Sequence, residues 1–223
     1  MKDKIIIGIT GVYCAGKNLA AFLLEKRGFP VLDVDKLGHE VTETEKERIV
    51  ARFGKEILTQ GGLVDRKRLG EKVFGKAEEM AALEDIIHPG VNRETTNWIN
   101  AQKGNVCFVN AALLHRSSAF EVLDAVIIVE APFLVRLLRA RKRDHLPWIA
   151  ILKRFKSQTK FTAQFFKGKT DIYRVSNPSG CANSVNSGFG GPDSPKKLEK
   201  RIDEILSLMG IIEAGAWKRR SYY

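Results

Sequence analysis

Short apolar runs alternate along the chain with longer segments whose apolar residues recur at helical spacing. The runs are rich in β-branched residues and cover positions 5–9, 31–35, 106–109, 126–129 and, more weakly, 171–175. Apolar runs without polar alternation are typical of strands that are buried on both faces of a parallel sheet. Strands that alternate with helices predict an α/β fold with a doubly wound, parallel, five-stranded sheet.

The amphipathic segments predict helices between and after these strands. They cover residues 19–26, 43–52, 66–74, 77–87, 91–101, 133–143, 147–158 and 195–209. Pro89 and Pro147 stand where two of these helices are expected to begin, since the first turn of a helix accepts proline. The segment between the second and third strands is too long for one crossover connection. We therefore expect it to form a helical insertion that binds a substrate.

We expect the chain to fold as a single domain that carries this insertion and a lid. The core takes about residues 1–40, 104–135 and 170–209, the insertion about 41–103, and the lid about 136–168. Ser, Asn, Gly and Pro dominate residues 176–195 without periodicity, which predicts a flexible loop. The total length of 223 residues suits this organisation.

The composition excludes several classes of protein. Hydrophobic residues make up 44% of the chain, which is ordinary for a globular core and argues against disorder throughout. No apolar run approaches the ~20 residues of a membrane-spanning helix, and the first residues lack the apolar stretch of a signal peptide. The three cysteines form neither a metal-ligand spacing nor a disulfide framework. These features predict a cytoplasmic protein without a membrane partner or an obligate protein partner.

The net charge of +11 is concentrated in one window of the sequence. Residues 136–160 contain nine basic side chains and one acid, Asp144, so this window carries +8 of the total charge. A concentration of positive charge implies a polyanionic ligand. A solvated helical face, an RNA-binding patch and a basic lid over the phosphates of a nucleotide all fit the window taken alone.

A phosphate-binding motif follows the first strand and opens the first helix. Its residues match the pattern GxxxxGK and are Gly11, Val12, Tyr13, Cys14, Ala15, Gly16, Lys17 and Asn18. Backbone N–H groups and the helix N-terminus surround a phosphate in such a loop, while the lysine reaches the β- and γ-phosphate oxygens. Asn18 departs from the pattern, because a Ser or Thr hydroxyl normally binds Mg²⁺ there. An amide oxygen is also a magnesium ligand, so Asn18 is a candidate metal ligand.

Two carboxylates, Asp33 and Asp35, stand at the end of the second predicted strand. Because side chains alternate along a strand, both are expected to point to the same side. Ligands of a doubly wound sheet bind in the crevice at the carboxyl ends of its strands. A carboxylate at this place is able to take the proton of an attacking hydroxyl or to orient it toward a γ-phosphate. Solvated acids that end a strand are the alternative interpretation.

Further motifs follow the phosphate loop in order. Residues 33–39 have the pattern DxD…H, and residues 61–69 match G-x-L-D-R-x-x-L with one inserted residue. Residues 83–89 read L-x-x-I-x-H-P, and Arg143–Asp144 and Arg154…Gln158 complete the series. The chain therefore resembles the dephospho-CoA kinase family over roughly residues 5–177. Several motifs in one order are far more specific than any one of them.

The resemblance implies a reaction, its cofactors and its residues. The reaction is phosphate transfer from ATP, with Mg²⁺, to the ribose 3′-hydroxyl of dephospho-CoA, which gives coenzyme A and ADP. The implied catalytic residues are Lys17, Asp33 as general base, and Arg143. The implied ATP site consists of Tyr13, Cys14, Ala15, Gly16, Lys17, Asn18, Arg143 and Asn177, and the implied acceptor site of Asp33, Asp35, His39, His88 and Arg154. From residue type alone, the two histidines fit a structural role equally well.

Two features depart from the family pattern. The residues Ala112-Leu113-Leu114-His115-Arg116 stand where the family has P-L-L-F-E, so an acid is replaced and Arg116 is gained. The loop at residues 176–195 is also longer than expected for the family. Neither departure involves Lys17 or Asp33.

Two alternative functions stay open. One is a kinase that acts on another small nucleoside or nucleotide, although the motifs at residues 33–39, 61–69 and 83–89 argue against it. The other is a nucleotide- or RNA-binding homologue without catalysis, which Asn18 and Arg116 support. The sequence lacks the aromatic motif of RNA-binding domains, and only about +3 of the charge lies outside the basic window. We therefore expect small-molecule substrates and no nucleic-acid partner.

Overall fold

One sheet of five strands organises the described part of the chain. A computed structural model describes residues 4–112, 114, 122–157, 170–178 and 194–213. The strands are β1 (Ile5–Gly11), β2 (Val31–Asp33), β3 (Val106–Asn110), β4 (Ala125–Glu130) and β5 (Asp171–Ser176). Their order is β2-β3-β1-β4-β5, and each neighbouring pair is parallel. This confirms the predicted α/β, doubly wound parallel sheet.

Helices cover both faces of the sheet. They are α1 (Lys17–Lys26), α2 (Val34–Thr44), α3 (Lys46–Phe53), α4 (Arg66–Val73), α5 (Ala77–Ala101), α6 (Phe133–Asp144), α7 (Trp148–Ser157) and α8 (Ser194–Leu208). α1 and α8 bury their apolar side chains against one face. α2 and the second half of α5 pack on the other face. Among the described residues no helix is both long and apolar enough to cross a bilayer.

The prediction that the second strand extends through Asp35 was wrong. β2 ends at Asp33, and α2, which the sequence patterns did not predict, begins at Val34. The carboxylate of Asp33 accepts hydrogen bonds from the backbone N–H groups of Asp35 (3.1 Å) and Lys36 (3.2 Å). Asp33 is therefore the N-cap of a helix, a position that aspartate strongly favours. Strand alternation consequently does not apply between Asp33 and Asp35.

The prediction that a helix begins near Pro89 was also wrong, because α5 continues through it. Proline inside a helix removes one backbone hydrogen bond, and residues of α5 on both sides of Pro89 pack in apolar clusters. A Cβ atom at Gly90 would lie 2.7 Å from Cγ1 of Val41, so α5 and α2 approach each other closely there. The prediction for Pro147 was correct, since α7 begins at the next residue, Trp148.

The insertion has an apolar cluster of its own. α3, α4, a short 3₁₀ turn (Lys55–Ile57) and the first half of α5 bury Ile49, Phe53, Ile57, Val64, Leu69 and Val73 together. The limits of core, insertion and lid stay a prediction. Residues 158–168 of the predicted lid and 179–193 of the predicted loop lie outside the described residues. The ends of that loop differ from the prediction, because Ser176 belongs to β5 and Ser194 to α8.

Candidate active site

The predicted phosphate loop connects β1 to α1 through two residues with positive φ. Cys14 has a φ of 61° and Gly16 a φ of 106°. Gly16 is also the residue that precedes α1, and a Cβ atom there would lie 2.3 Å from Nδ2 of Asn177, so only glycine fits. A loop of this kind at a helix N-terminus provides backbone N–H groups for an anion.

A buried arginine, Arg139, holds the phosphate loop through hydrogen bonds to its backbone. Arg139 is 2% exposed and donates to the backbone oxygens of Cys14 (3.1 Å), Ala15 (3.0 Å) and Asn177 (3.1 Å). Asn177 adds a hydrogen bond from Nδ2 to the Ala15 oxygen (2.9 Å). Sequence reasoning counted Arg139 among the cations of the lid. Charge alone did not distinguish it from Arg141, which is exposed on the same helix.

Asn177 itself lies where β5 leaves the sheet. Its backbone N–H donates to the oxygen of Glu130 at the end of β4 (2.7 Å). Its side chain is buried, and Oδ1 has no hydrogen-bond partner in the described structure. The residue thus connects the ends of two strands to the phosphate loop.

Lys17 lies at the centre of a polar group formed from three elements. Its ammonium donates to Oδ2 of Asp35 (2.7 Å), Oδ1 of Asn18 (2.9 Å) and Oδ1 of Asn110 (3.3 Å). The other oxygen of Asp35 accepts from the backbone N–H of Ala112 (3.3 Å). Sequence reasoning missed Asn110, since the last residue of a strand offers no motif by itself.

Asp33 and Asp35 have different surroundings. Asp33 faces the N–H groups at the start of α2 and is 24% exposed, whereas Asp35 in the first turn of α2 is 46% exposed and bonds Lys17. The expectation that both point to one side of a strand was therefore wrong. Pairing of β2 with β3 still sets Asp33 opposite Asn110, and Asn110 pairs with Ile9 of β1. Asp33 thus lies two strands away from β1, which leads into the phosphate loop.

A second polar group joins the phosphate loop to α6 and α7, the helices of the predicted lid. The Tyr13 hydroxyl donates to Asp144, which also accepts from Arg143 Nε (2.6 Å) and Arg154 (3.0 Å). The guanidinium carbons of Arg143 and Arg154 lie 5.1 and 5.7 Å from the centre of the Tyr13 ring. The aromatic ring of Phe155 packs edge-on against Tyr13 at 5.5 Å. This arrangement brings Arg143 and Arg154 together on Asp144, and their role in a lid stays a prediction.

The pKa values of this group follow from burial and from these bonds. Burial raises the pKa of Tyr13, and its hydrogen bond to Asp144 adds to the effect. Burial would raise the pKa of Asp144, but hydrogen bonds from Arg143 and Tyr13 and the charge of Arg154 outweigh it and lower that pKa. The hydrogen bond to Asp144 raises the pKa of Arg143. At neutral pH Asp144 is therefore a carboxylate, Arg143 is charged and Tyr13 is a neutral phenol.

The thiol of Cys14 is held in its neutral form. Cys14 is buried, and that burial raises its pKa, although the nearby charge of Arg143 acts in the opposite direction. Reactive cysteines have lowered pKa values and exposed sulfur atoms. Cys14 therefore contributes its backbone to the loop and not a nucleophile.

The two predicted histidines lie on the insertion side of the site. His39 is exposed on α2, and His88 is half-buried on α5 just before Pro89. Within the described ranges no hydrogen bond joins either imidazole to the group around Lys17. Arg116, the departure noted in the sequence, lies outside the described residues.

A cavity of about 740 Å³ adjoins the loop on the other side of β1 from Asp33. Val12, the ends of β4 and β5, and side chains of α6 and α7 form its wall. Arg136 and Lys156 contribute positive charge, and the Arg136 guanidinium lies 4.8 Å from the centre of the Phe155 ring. The cavity suits a ligand that carries both apolar and anionic groups.

Comparison with known proteins decides the family. The model of the family described as dephospho-CoA kinase matches residues 5–172 of this sequence. The chain belongs to the dephospho-CoA kinase family. The matched region includes the phosphate loop, Asp33 and Asp35, both histidines, Arg143 and Arg154, and it ends before Asn177.

Curated relatives agree with this membership. A dephospho-CoA kinase from Shouchella clausii is 34% identical over 172 residues, which cover 74% of this chain and 86% of the relative. A dephospho-CoA kinase from Treponema denticola is 32% identical over 186 residues, which cover 78% and 83% of the two chains.

Solved structures agree with the fold of a dephospho-CoA kinase. The crystal structure of TT1252 from Thermus thermophilus superposes with a TM-score of 0.73 at 26% identity, covering 95% of this chain and 99% of the other. The dephospho-CoA kinase from Campylobacter jejuni has the same fold, with a TM-score of 0.57 at 24% identity and the same coverage.

Proposed function

We propose that this protein transfers the γ-phosphoryl group of ATP to the ribose 3′-hydroxyl of dephospho-CoA, giving coenzyme A and ADP. The observation that carries the proposal is the group around Lys17. It lies at the carboxyl edge of the sheet in a chain of the dephospho-CoA kinase family, and it joins the phosphate loop to Asp35. The substrates are small molecules, and the cytoplasm remains the predicted place of action.

The phosphate loop is the proposed donor site. Residues Tyr13 to Asn18 surround the β- and γ-phosphates with backbone N–H groups, and Lys17 exchanges Asp35 for phosphate oxygens. The Lys17–Asp35 bond joins a carboxylate that is 46% exposed. Lys17 itself is 15% exposed, so phosphate oxygens have to take the place of this carboxylate as its acceptor. Asn177, which lies against the loop, contributes to the nucleotide site from the end of β5.

Asp33 is the proposed general base. The 3′-oxygen attacks the γ-phosphorus, the bond from that phosphorus to the β–γ bridging oxygen breaks, and the 3′-hydroxyl proton passes to the Asp33 carboxylate. Two backbone N–H groups of α2 fix the orientation of that carboxylate. Asp35, His39, His88 and Arg154 are proposed to bind the acceptor.

The side chain of Asn18 fits a magnesium ion. Its Oδ1 accepts from Lys17 (2.9 Å) and from Nδ2 of Asn110 (3.3 Å), so both donors direct an oxygen atom, and not the amide nitrogen, into the group. The described residues contain no cluster of three or more His, Cys, Asp or Glu side chains. Mg²⁺ needs no such cluster, since it binds through few protein oxygens together with phosphates and water. When bound, it neutralises phosphate charge.

The lid arginines complete the proposed mechanism. Arg143 and Arg154 lie beside the loop residue Tyr13, held there by Asp144. Turning of these guanidinium groups toward the transferring phosphoryl group would offset the negative charge that it carries. The cations Arg136 and Lys156 in the neighbouring cavity add positive charge beside the phosphate loop.

An acceptor screen tests the proposal. Purified protein is supplied with ATP and MgCl₂, and ADP formation is followed in a coupled assay with dephospho-CoA, adenosine, AMP or no acceptor. The proposal expects turnover with dephospho-CoA at least 100-fold above the other acceptors. Comparable or higher turnover with adenosine or AMP would assign another kinase activity. No acceptor-dependent ADP would point to a nucleotide-binding protein without catalysis.

A further inference from the structure

Asn110 is a buried polar residue that no motif assigns to a function. It ends β3, is 2% exposed, and pairs in register with Ile9 of β1 and Asp33 of β2. Its Oδ1 accepts from the ammonium of Lys17 (3.3 Å), and its Nδ2 donates to Oδ1 of Asn18 (3.3 Å). Both atoms of one amide are thus used within the proposed donor site.

The chemistry of lysine fixes how both amides are turned. An ammonium group only donates hydrogen bonds, so Asn110 must present its oxygen to Lys17. The amide nitrogen of Asn110 then faces Asn18. Because an amide nitrogen also only donates, Asn18 must present its oxygen as the acceptor. The direct bond from Lys17 to Oδ1 of Asn18 (2.9 Å) requires the same orientation. The three side chains therefore admit one arrangement.

We propose that Asn110 is a positioning residue that keeps the amide oxygen of Asn18, and not its nitrogen, turned toward the donor phosphates and their magnesium ion. This inference rests on the proposed function. Lys17 has to leave Asn18 when it turns to the phosphates, and the bond from Asn110 then remains to hold the oxygen in place. Asn110 thereby compensates for the hydroxyl that the phosphate-loop pattern has at position 18.

Asn110 is expected to affect magnesium binding only while position 18 carries an amide. A serine hydroxyl has a single oxygen, which both donates and accepts, so it has no wrong atom to present. Removing the amide at position 110 should therefore harm magnesium binding with Asn18 in place, and should harm it much less in an N18S background.

Calorimetry of ADP binding tests the proposal with a readout other than turnover. The dissociation constant of ADP is measured in MgCl₂ and in EDTA for the wild type, N110L, N18S and N18S/N110L. The ratio of the two constants gives the gain in affinity due to Mg²⁺. N110L is expected to reduce that gain about tenfold in the wild-type background and by less than about threefold in the N18S background. N110L also removes the contact of Asn110 with Lys17. That loss changes the dissociation constant of ADP equally in MgCl₂ and in EDTA, so it leaves the ratio of the two constants unchanged.

C107A is the matched control, because Cys107 is also buried in β3 but lies in the apolar cluster. It should leave the ratio unchanged. Circular dichroism checks folding, and N110A replaces N110L if the larger side chain prevents folding. Equal effects of the substitution in both backgrounds, an unchanged magnesium gain in N110L, or no magnesium gain in the wild type would each overturn the proposal. Phosphoryl transfer is measured separately, so a wild type that binds Mg²⁺ and ADP but transfers nothing contradicts only the proposed function.

Discussion

The side chains around Lys17 show how individual residues acquire their places. Lys17 and Asn18 begin α1, Asp35 lies in the first turn of α2, and Asn110 ends β3. Each belongs to the carboxyl edge of the sheet, where ligands of this architecture bind. Lys17 and Asp33 were predictable, because a phosphate loop and an acidic strand end are local patterns. Asn110 was not, since its partners lie 92 and 93 residues away and meet it only through strand pairing.

Asp33→Asn should separate catalysis from folding. Asparagine cannot take the proton of the 3′-hydroxyl, so kcat should fall by roughly 10²–10⁴-fold. Asparagine is as good an N-cap as aspartate, so the free energy of unfolding should change by less than about 0.5 kcal/mol. Steady-state kinetics and urea titration measure both effects.

Asp65→Asn is the matched control for that substitution. Asp65 caps α4 through the backbone N–H groups of Lys67 (2.9 Å) and Arg68 (3.2 Å), in the same way as Asp33 caps α2. Its kcat should equal that of the wild type. An Asp33→Asn variant with near-normal turnover would remove Asp33 from the role of general base.

At the scale of elements, charged hydrogen bonds join α6 and α7 to the phosphate loop. Asp144 ends α6, accepts from Arg154 of α7, and is reached by Tyr13 of the phosphate loop. Its pKa is lowered, so this contact is present above the pKa of an unfolded aspartate, about 3.9, and is lost as the pH falls through the lower folded value.

Asp144→Asn should therefore destabilise the protein in a pH-dependent way. At pH 7 the free energy of unfolding should fall by about 1–2 kcal/mol, the scale of hydrogen bonds to a charged group. The difference from wild type should shrink as the pH falls below about 3.9, the pKa of an unfolded aspartate, toward the lowered pKa of Asp144 in the folded protein. Denaturant titrations at pH 7 and pH 3 measure it, with Asp85→Asn, an exposed acid of α5, as the control. An equal difference at both pH values would contradict the assignment.

Arg139 joins α6 to the phosphate loop by a different route. Arg139→Met should lower the free energy of unfolding by about 2–6 kcal/mol, because the carbonyls of Cys14 and Asn177 each lose a donor at a cost of about 1–3 kcal/mol, while Ala15 keeps the donor of Asn177. The KM for ATP should rise as well, because the loop loses its support. Arg141→Met, an exposed change in the same helix, should cost less than about 1 kcal/mol. Equal losses of stability in the two variants would show that Arg139 does not support the loop.

Strands and helices were predicted correctly where a local sequence pattern determines them. The prediction failed where a tertiary contact determines the limits of an element. The five strands were visible as apolar runs because both faces of the sheet are covered. α2 was missed because it contains Gly38, which is unfavourable inside a helix, and because the sequence at Asp33 fits the end of a strand as well as the N-cap of a helix. α5 was divided at Pro89 because the close packing of Gly90 on Val41 depends on another helix.

At the scale of the whole molecule, the charge of +11 has a place in the structure. Arg139 is buried beneath the phosphate loop, Arg143 and Arg154 bond Asp144, and Arg136 lines the cavity beside Val12. These cations face one region of the molecule, around the loop. That distribution suits small polyphosphates, and the basic lid stays a prediction.

The most direct test of the central proposal is to identify the product. The protein is incubated with ATP, MgCl₂ and dephospho-CoA, and the mixture is followed by phosphorus NMR. The proposed function predicts one new phosphomonoester signal, coupled to the ribose H3′ proton, that grows in equal amount with ADP. Release of inorganic phosphate with ADP but without that ester, or a phosphate on another hydroxyl, would contradict it.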